Sequence, residues 1–278
     1  MAINLATKVS PKVDERFTKE SVTENIGLNN DYDWDGVATV TVYDIPTVPL
    51  NDYTREGTSR YGELQELQDE KTDYTVTQDK GFTYSIDEGN SKSQMDIKMK
   101  EGASLGRETR EVIIPHVDKY RLKVMHDAAV ENGHTVDGAS ITKTNAYEKF
   151  LGMNELLDED LVPTTGRVTY VVPSYYNKLK LDESFVKNSE LGQKMVINGQ
   201  MGEVDGNRII KVPTSYLPEG CLALTVYPRC MVSPKKIQKY KRHVDPMGVD
   251  GVVVEGRLLF DAFILKSKKN AIAVLKSA

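Results

Sequence analysis

Polar and apolar residues along this chain change period several times, and each change predicts an element. Over residues 37–45, Val37, Thr39, Thr41, Tyr43 and Ile45 alternate with Ala38, Val40 and Val42, the pattern of a β-strand rich in β-branched side chains. A second period-two run covers 74–86, with Phe82, Tyr84 and Ile86 on one side and an interruption at Lys80-Gly81. The 28 residues between them, 46–73, are rich in charge and hold Tyr53, Arg55, Arg60, Tyr61, Leu64 and Leu67. A structureless loop of that length is uncommon inside a compact domain, so one long projecting hairpin is expected. Its tip has little core of its own, and contacts elsewhere must offset the entropy of ordering it.

Residues 95–100 alternate again, with Met95, Ile97 and Met99 against charges, which predicts a short half-exposed strand. From about Ser104 the period becomes helical. Ile113, Val117, Tyr120, Val124 and Ala128 recur at spacings of three and four, with Leu122, Met125 and Ala129 widening the stripe. Pro115 predicts a kink or a fresh start, and Asn132-Gly133 a stop. This helix would run about 40 Å at about 1.5 Å per residue. The second half reads as helices over 145–157 and over 174–181 after Pro173, and strands over 168–172, 222–227, 252–255, 258–265 and 271–275. A strand pair over 203–212 turns at Asp205-Gly206. The fold class is α+β.

Composition narrows the picture. At 39% hydrophobic and 28% charged over 278 residues, the chain has core material for one or two domains. The first 36 residues are polar, with four basic residues against seven acidic ones, so they read as an arm lying on protein surface and not as a phosphate-neutralising tail. The whole chain carries a formal charge of −5. No window approaches 18 consecutive apolar residues, which excludes a membrane-spanning helix. Residues 1–10 lack the basic-then-apolar run of a secretory leader, and a soluble protein made inside the cell is expected. Two cysteines, Cys221 and Cys230, are too few for a disulfide framework and read as inert thiols.

The search for chemistry finds one catalytic lead. Gly102-Ala103-Ser104-Leu105-Gly106 matches the G-x-S-x-G nucleophile elbow, which would make Ser104 the nucleophile of a serine hydrolase. That elbow follows a strand buried on both faces, whereas the preceding run carries Asp96, Lys98 and Lys100 on one face. The plainer reading makes Ser104 a helix cap. His116, His126, His134 and His243 are scattered without metal-ligand spacing, and the acidic residues 158–160 read as a solvated loop. No phosphate-binding glycine loop occurs, so no enzyme activity, cofactor or metal is expected. One basic cluster stands out: Lys235, Lys236, Lys239, Lys241 and Arg242, with Tyr240 among them. On a regular strand, Lys235, Lys239 and Lys241 would share one face, and Lys236 and Arg242 the other. The cluster reads as a solvated or acid-paired strand, or as a contact for DNA or an acidic partner.

The order of elements resembles the major capsid protein of tailed double-stranded DNA bacteriophages, the Hong Kong 97-like fold. The resemblance is carried by residues 39–45 followed by Leu50, Asn51, Asp52, Tyr53 and Arg55, and by 78–87, which is similar to the returning strand of that family's extended loop. Residues 110–122 resemble the start of its long spine helix, 202–213 its axial-domain strand, and 256–263 its late strand. The resemblance implies an N-terminal arm (1–36), an extended β-hairpin loop (37–88), a peripheral domain with the spine helix (89–138 and 230–250) and a mixed α/β axial domain (139–229 and 251–278). It implies a coat subunit that self-assembles through pentamers and hexamers into an icosahedral head around packaged double-stranded DNA, bound without sequence specificity. A portal is then an expected partner and a membrane is not. Because the loop begins near residue 37, a separate scaffolding protein is expected as well. The protein would lie in the virion capsid after assembly in the host cytoplasm. Tyr53, Arg55, Arg60 and Tyr61 are the expected inter-subunit anchors, since Arg and Tyr are over-represented at such positions. Lys71 and Lys80 lie in the loop, but no partner Asn or Glu matches, so no isopeptide crosslink is expected. An encapsulin-like bacterial compartment shell shares the fold and stands as the alternative.

Overall fold

The computed structural model describes residues 21–24, 39–44, 47–64, 66–67, 70–87, 101–182 and 202–277. The strand expected at 95–100 and most of the arm lie outside them. Strand β1 (Thr39–Asp44) pairs antiparallel with β2 (Glu70–Thr75), from Thr39 opposite Thr75 to Asp44 opposite Glu70. The hairpin is therefore real, but its returning strand ends at Thr75. The expected interruption at Lys80-Gly81 falls instead at Val76-Thr77, where Val76 is buried and Thr77 donates its backbone N–H to Asp261 at 2.8 Å. Strand β3 (Gln78–Asp87) then leaves the hairpin and joins another sheet.

The spine begins with α1 (Glu101–Glu108), widens into a π-turn (Thr109–Ile113) and continues as α2 (Ile114–Glu131). Within the π-turn's last step the Ile114 N–H reaches Thr109 O, five residues back. Pro115 explains the irregularity. It has no N–H to give, and in a regular α-helix its ring would meet the carbonyl four residues earlier, so the widened turn relieves that clash. The helix ends as expected: Gly133 takes φ 75°, with His134 N to Ala129 O at 2.9 Å and Gly133 N to Val130 O at 3.2 Å. Of the predicted stripe Val117, Leu122, Met125 and Ala129 are buried as expected, and Asp118, Arg121 and His126 join them. Tyr120, Val124 and Ala128 are half-buried.

Two sheets flank this spine. The larger has six strands in the order β4 (Thr135–Asp137), β13 (Ile272–Lys276), β8 (Cys221–Val226), β5 (Val168–Val171), β7 (Asn207–Lys211), β6 (Glu203–Val204). Strand β5 lies parallel to β7 and is buried along its whole length, as its unbroken β-rich run requires. Helices α2 and α3 (Ala146–Glu159) cover β13, and α4 (Pro173–Lys180) packs on α3 and β8. The core joins Leu122 and Met125 of α2, Phe150 and Met153 of α3, Tyr170 and Leu224. Asp205 (φ 49°) and Gly206 (φ 74°) make the tight β6–β7 turn that their residue types predict.

The smaller sheet has the order β10 (Lys235–Val244), β11 (Gly251–Phe260), β3. Strand β11 is continuous where two runs, 252–255 and 258–265, were expected, because Gly256 stays in register opposite Phe82. The break comes later, at Asp261-Ala262, before β12 (Phe263–Ile264) pairs with β9 (Met231–Val232). Leu258 and Phe260 pack on Val117 of the spine. An expected domain boundary at 250/251 falls inside the β10–β11 hairpin, and β3, expected in the loop, is the third strand of this sheet.

Candidate assembly surfaces

The loop between β1 and β2 is short of core but locally ordered. Thr54 N–H reaches Arg60 O at 3.0 Å, the Arg60 Nε donates to Gly57 O at 3.0 Å, and Gly62 N–H reaches Ser59 O at 3.2 Å. The rings of Tyr53 and Tyr61 meet edge to face at 5.1 Å between centroids. Tyr53, Arg55, Arg60 and Tyr61 thus share one exposed tip. Leu50 and Leu64 beside them are fully exposed. Lys71 pairs loosely with Asp73 at 3.7 Å.

The described part of the arm, residues 21–24, docks on its own chain. Asp118 accepts from Ser21 Oγ (2.8 Å), Val22 N (2.9 Å) and Thr23 Oγ1 (2.5 Å). Arg121 Nη1 donates to Thr23 Oγ1 at 2.9 Å and its Nε to Ser233 Oγ at 2.9 Å, while Tyr170 Oη donates to Val22 O at 2.9 Å. Lys235 closes the clasp on Glu24 and holds that carboxyl below the ordinary carboxylate range. Burial works against the Arg121 charge, and the neighbouring carboxylates of Asp118 and Glu24 support it. Asp118 and Arg121 escaped the sequence reading. The available signal was a charged pair, three residues apart, inside the helical apolar stripe.

The basic cluster lies on β10, but a bulge after Lys235 shifts its register, so Lys235 stands opposite Phe260 and Lys241 opposite Glu255. Lys235 and Lys241 therefore fall on different faces, where regular alternation had put them together. On the face of Lys241, Arg257 Nε donates to Asp79 at 2.9 Å, and His243 Nε2 lies 3.3 Å from Glu255.

Ser104 lies inside α1, so neither the elbow at a strand-to-helix turn nor the helix cap is what this residue forms. The acidic run 158–160 is exposed, as expected, but Asp158 and Glu159 close the helix α3 instead of lying in a loop. Asp158 meets the buried Arg167 at 2.6 Å and Asp160 meets His134 at 2.8 Å, tying the end of α3 to its surroundings. Burial lowers the pKa of His116, with Lys80 and Lys119 adding to it. Burial pushes both thiols, Cys221 and Cys230, up to about 12, which leaves them protonated and unreactive at neutral pH.

No family description matches the sequence, and no curated protein is similar to it in sequence. Solved structures are similar in fold over the whole chain. A chain from Mycobacterium phage Che8 superposes with a TM-score of 0.79 at 17% identity, covering 99% of this chain and 98% of that one. A chain from the capsid structure of the cyanophage P-SCSP1u gives 0.80 at 12% identity, covering 99% and 93%. One from the asymmetric unit of the bacteriophage PhiM1 mature capsid gives 0.72 at 14%, covering 99% and 92%. The chain has the α+β fold of phage capsid subunits, the Hong Kong 97-like fold.

Proposed function

We propose that this chain is the major capsid protein of a tailed double-stranded DNA bacteriophage, a structural subunit and not an enzyme. The observation that carries the reading is the likeness to capsid chains over 99% of its length, hairpin and spine included. Rings form when two different patches of one chain meet, head to tail, and close by rotation. A projecting tip with Tyr53, Arg55, Arg60 and Tyr61 is suited to be one such patch, lying across the adjacent copy in pentamers and hexamers. Obligate interfaces of this class bury about 2,000–5,000 Å² in total, enough to offset the ordering of an arm and a loop. The spine helix with the three-stranded sheet serves as the peripheral domain and the six-stranded sheet as the axial one. A separate scaffolding protein, a portal and non-specifically packaged DNA are the expected partners, in a virion assembled in the host cytoplasm. Lys235, Lys236, Lys239, Lys241 and Arg242 are contacts for DNA or an acidic partner in this reading.

Electron microscopy of the purified protein, alone and after co-expression with the neighbouring phage genes, tests it. Closed icosahedral shells with a unique portal vertex are expected. Shells filled with a cargo enzyme and lacking that vertex would establish the compartment reading instead. A protein that stays monomeric under all these conditions would refute both.

A further inference from the structure

The anchor of the arm at residues 21–24 and the root of the hairpin at Thr77 are joined by an unbroken series of hydrogen bonds. On the arm, Thr23 Oγ1 accepts from Arg121 Nη1 at 2.9 Å. Arg121 Nε donates to Ser233 Oγ, between β9 and β10, at 2.9 Å, and the same hydroxyl donates to the backbone carbonyl of Asp261 at 2.8 Å. The Asp261 carboxylate in turn accepts from Thr77 and from Tyr120 of the spine. Thr23, Arg121, Ser233 and Asp261 are all buried. Bulk water is not at hand to replace a bond that one of them loses, so the position of each bears on the next.

Arg121 has a second arrangement within reach. Its hydrogen bonds end on two hydroxyls, and its buried Nη2 has no hydrogen-bond partner among the described residues. Three residues earlier on the same side of α2, Asp118 accepts from three donors of the arm, Ser21 Oγ, Val22 N and Thr23 Oγ1. Withdrawal of the arm takes all three donors from Asp118 and the Thr23 hydroxyl from Arg121 in one step. It leaves a buried carboxylate without donors beside a buried guanidinium with donors unused. An unpaired buried charge is far more costly than a paired one, so direct pairing of the two is the favoured outcome. That pairing turns the guanidinium away from Ser233.

We propose that Arg121 is a switch with two positions that couples the docking of the arm to the firmness of the hairpin root. With the arm docked, Arg121 holds Ser233, and Ser233 holds Asp261 in place for Thr77 and Tyr120. With the arm released, Arg121 pairs with Asp118, Ser233 loses its charged donor, and the hairpin root loosens. Ser233 is the positioning residue of this relay: it bonds neither the arm nor the hairpin, yet stands between the groups that do. Coupling of this kind is reciprocal, so loosening the hairpin root weakens the hold on the arm by the same factor. The switch lies within one chain and goes beyond the capsid reading without depending on it.

Amide hydrogen exchange on the full-length subunit in solution tests it. Thr77 N–H, which bonds Asp261, reports on the hairpin root, and Val22 N–H, which bonds Asp118, reports on the arm. Thr23→Val keeps the shape of the side chain and removes its hydroxyl. Thr77 exchange is expected to quicken about 5-fold or more, the lower end of ordinary coupling between sites, while Thr23→Ser keeps the wild-type rate. In a Ser233→Ala background the relay is already cut, and Thr23→Val should then leave Thr77 unchanged. In the reverse direction, Thr77→Val should quicken Val22 by a similar factor. An unchanged Thr77 rate in Thr23→Val would overturn the switch, as would a Val22 rate indifferent to Thr77→Val. So would an effect that persists in full without the Ser233 hydroxyl, or a uniform rise that includes Val172, whose N–H bonds Leu222 O at the six-stranded sheet. These rates are read on the subunit alone, so such a result leaves the capsid reading, which is judged on shells, where it was.

Discussion

Tyr120 donates its phenol hydroxyl to Asp261 at 2.6 Å, and through that carboxylate the spine helix holds the base of the projecting hairpin. The other oxygen of Asp261 accepts from Thr77 N (2.8 Å) and Thr77 Oγ1 (2.9 Å), where β2 gives way to β3. Beside it Tyr74 packs against Phe263 at 5.3 Å, and Lys266 pairs with Glu70. One carboxylate thus joins helix, sheet and loop. The direction in which the hairpin leaves the body is set here, well away from its exposed tip.

Loss of the phenol should loosen this junction. Tyr120→Phe removes one charge-assisted bond and is expected to lower stability by about 1.5–3 kcal/mol in thermal or urea unfolding. A change below about 0.5 kcal/mol would show that Thr77 alone suffices. The pH dependence has a definite sign. Burial and the Asp261 bond raise the Tyr120 pKa to about 12 from its ordinary 10. The contribution is therefore complete below pH 10 and lost as pH climbs through about 12. Wild type should lose stability in that window more steeply than the Phe variant.

Asp118→Asn tests the arm clasp. The amide has one acceptor oxygen where three donors converge, and its NH₂ faces a donor. The change also removes the carboxylate beside the buried Arg121. Stability is expected to fall by about 3–5 kcal/mol, with residues 21–24 becoming open to proteolysis. Retained protease resistance there would exclude Asp118 as the anchor. In wild type, Glu24 stays ionised below its ordinary range because Lys235 holds it, so its small contribution exists above that range and fades as pH falls through the lowered value. Arm exchange should accordingly quicken under acid conditions before the core unfolds.

At Gly256 a Cβ would stand 2.3 Å from two carbons of the Phe82 ring. Gly256→Ala should therefore cost about 1–3 kcal/mol by overpacking. Combined with Phe82→Ala, most of that cost should vanish, giving a coupling that a double-mutant cycle reads directly. Strict additivity would mean that the ring moves aside freely.

The loop tip separates folding from assembly. Tyr53→Ala with Tyr61→Ala, or Arg55→Glu with Arg60→Glu, alters exposed side chains only, so the melting temperature should hold while shells fail to form. Exposed substitutions of this kind shift stability by about 0.5 kcal/mol or less. Normal shells from both double variants would remove these four residues from the list of anchors.

Local pattern alone was enough for the hairpin, the long helix broken near Pro115, the stop at Asn132-Gly133 and the turn at Asp205-Gly206. Each depends on periods and backbone preferences that act within a few residues. The same reading put Tyr53, Arg55, Arg60 and Tyr61 in the outer part of the loop, where the rings of Tyr53 and Tyr61 meet and Arg60 bonds Gly57 O. It lost track where the deciding partner is distant in sequence. Nothing near Asp118 announces that Ser21 and Thr23, about a hundred positions earlier, will satisfy its charge. A charged pair on an apolar helix face looks like an error in the stripe until those donors are in place.

What the sequence determined by itself was therefore the inventory: a polar arm, a charged loop between strands, a spine and an α+β remainder, all from short-range periodicity. Only the tertiary structure decided how the pieces share strands. It ended the hairpin at Thr75, gave β3 to a second sheet, carried β11 through Gly256, and slipped β10 by one residue after Lys235. Strand partnership is chosen by hydrogen-bond register and by packing between segments as far apart as 82 and 256. Those energies exist only once the chain has closed upon itself.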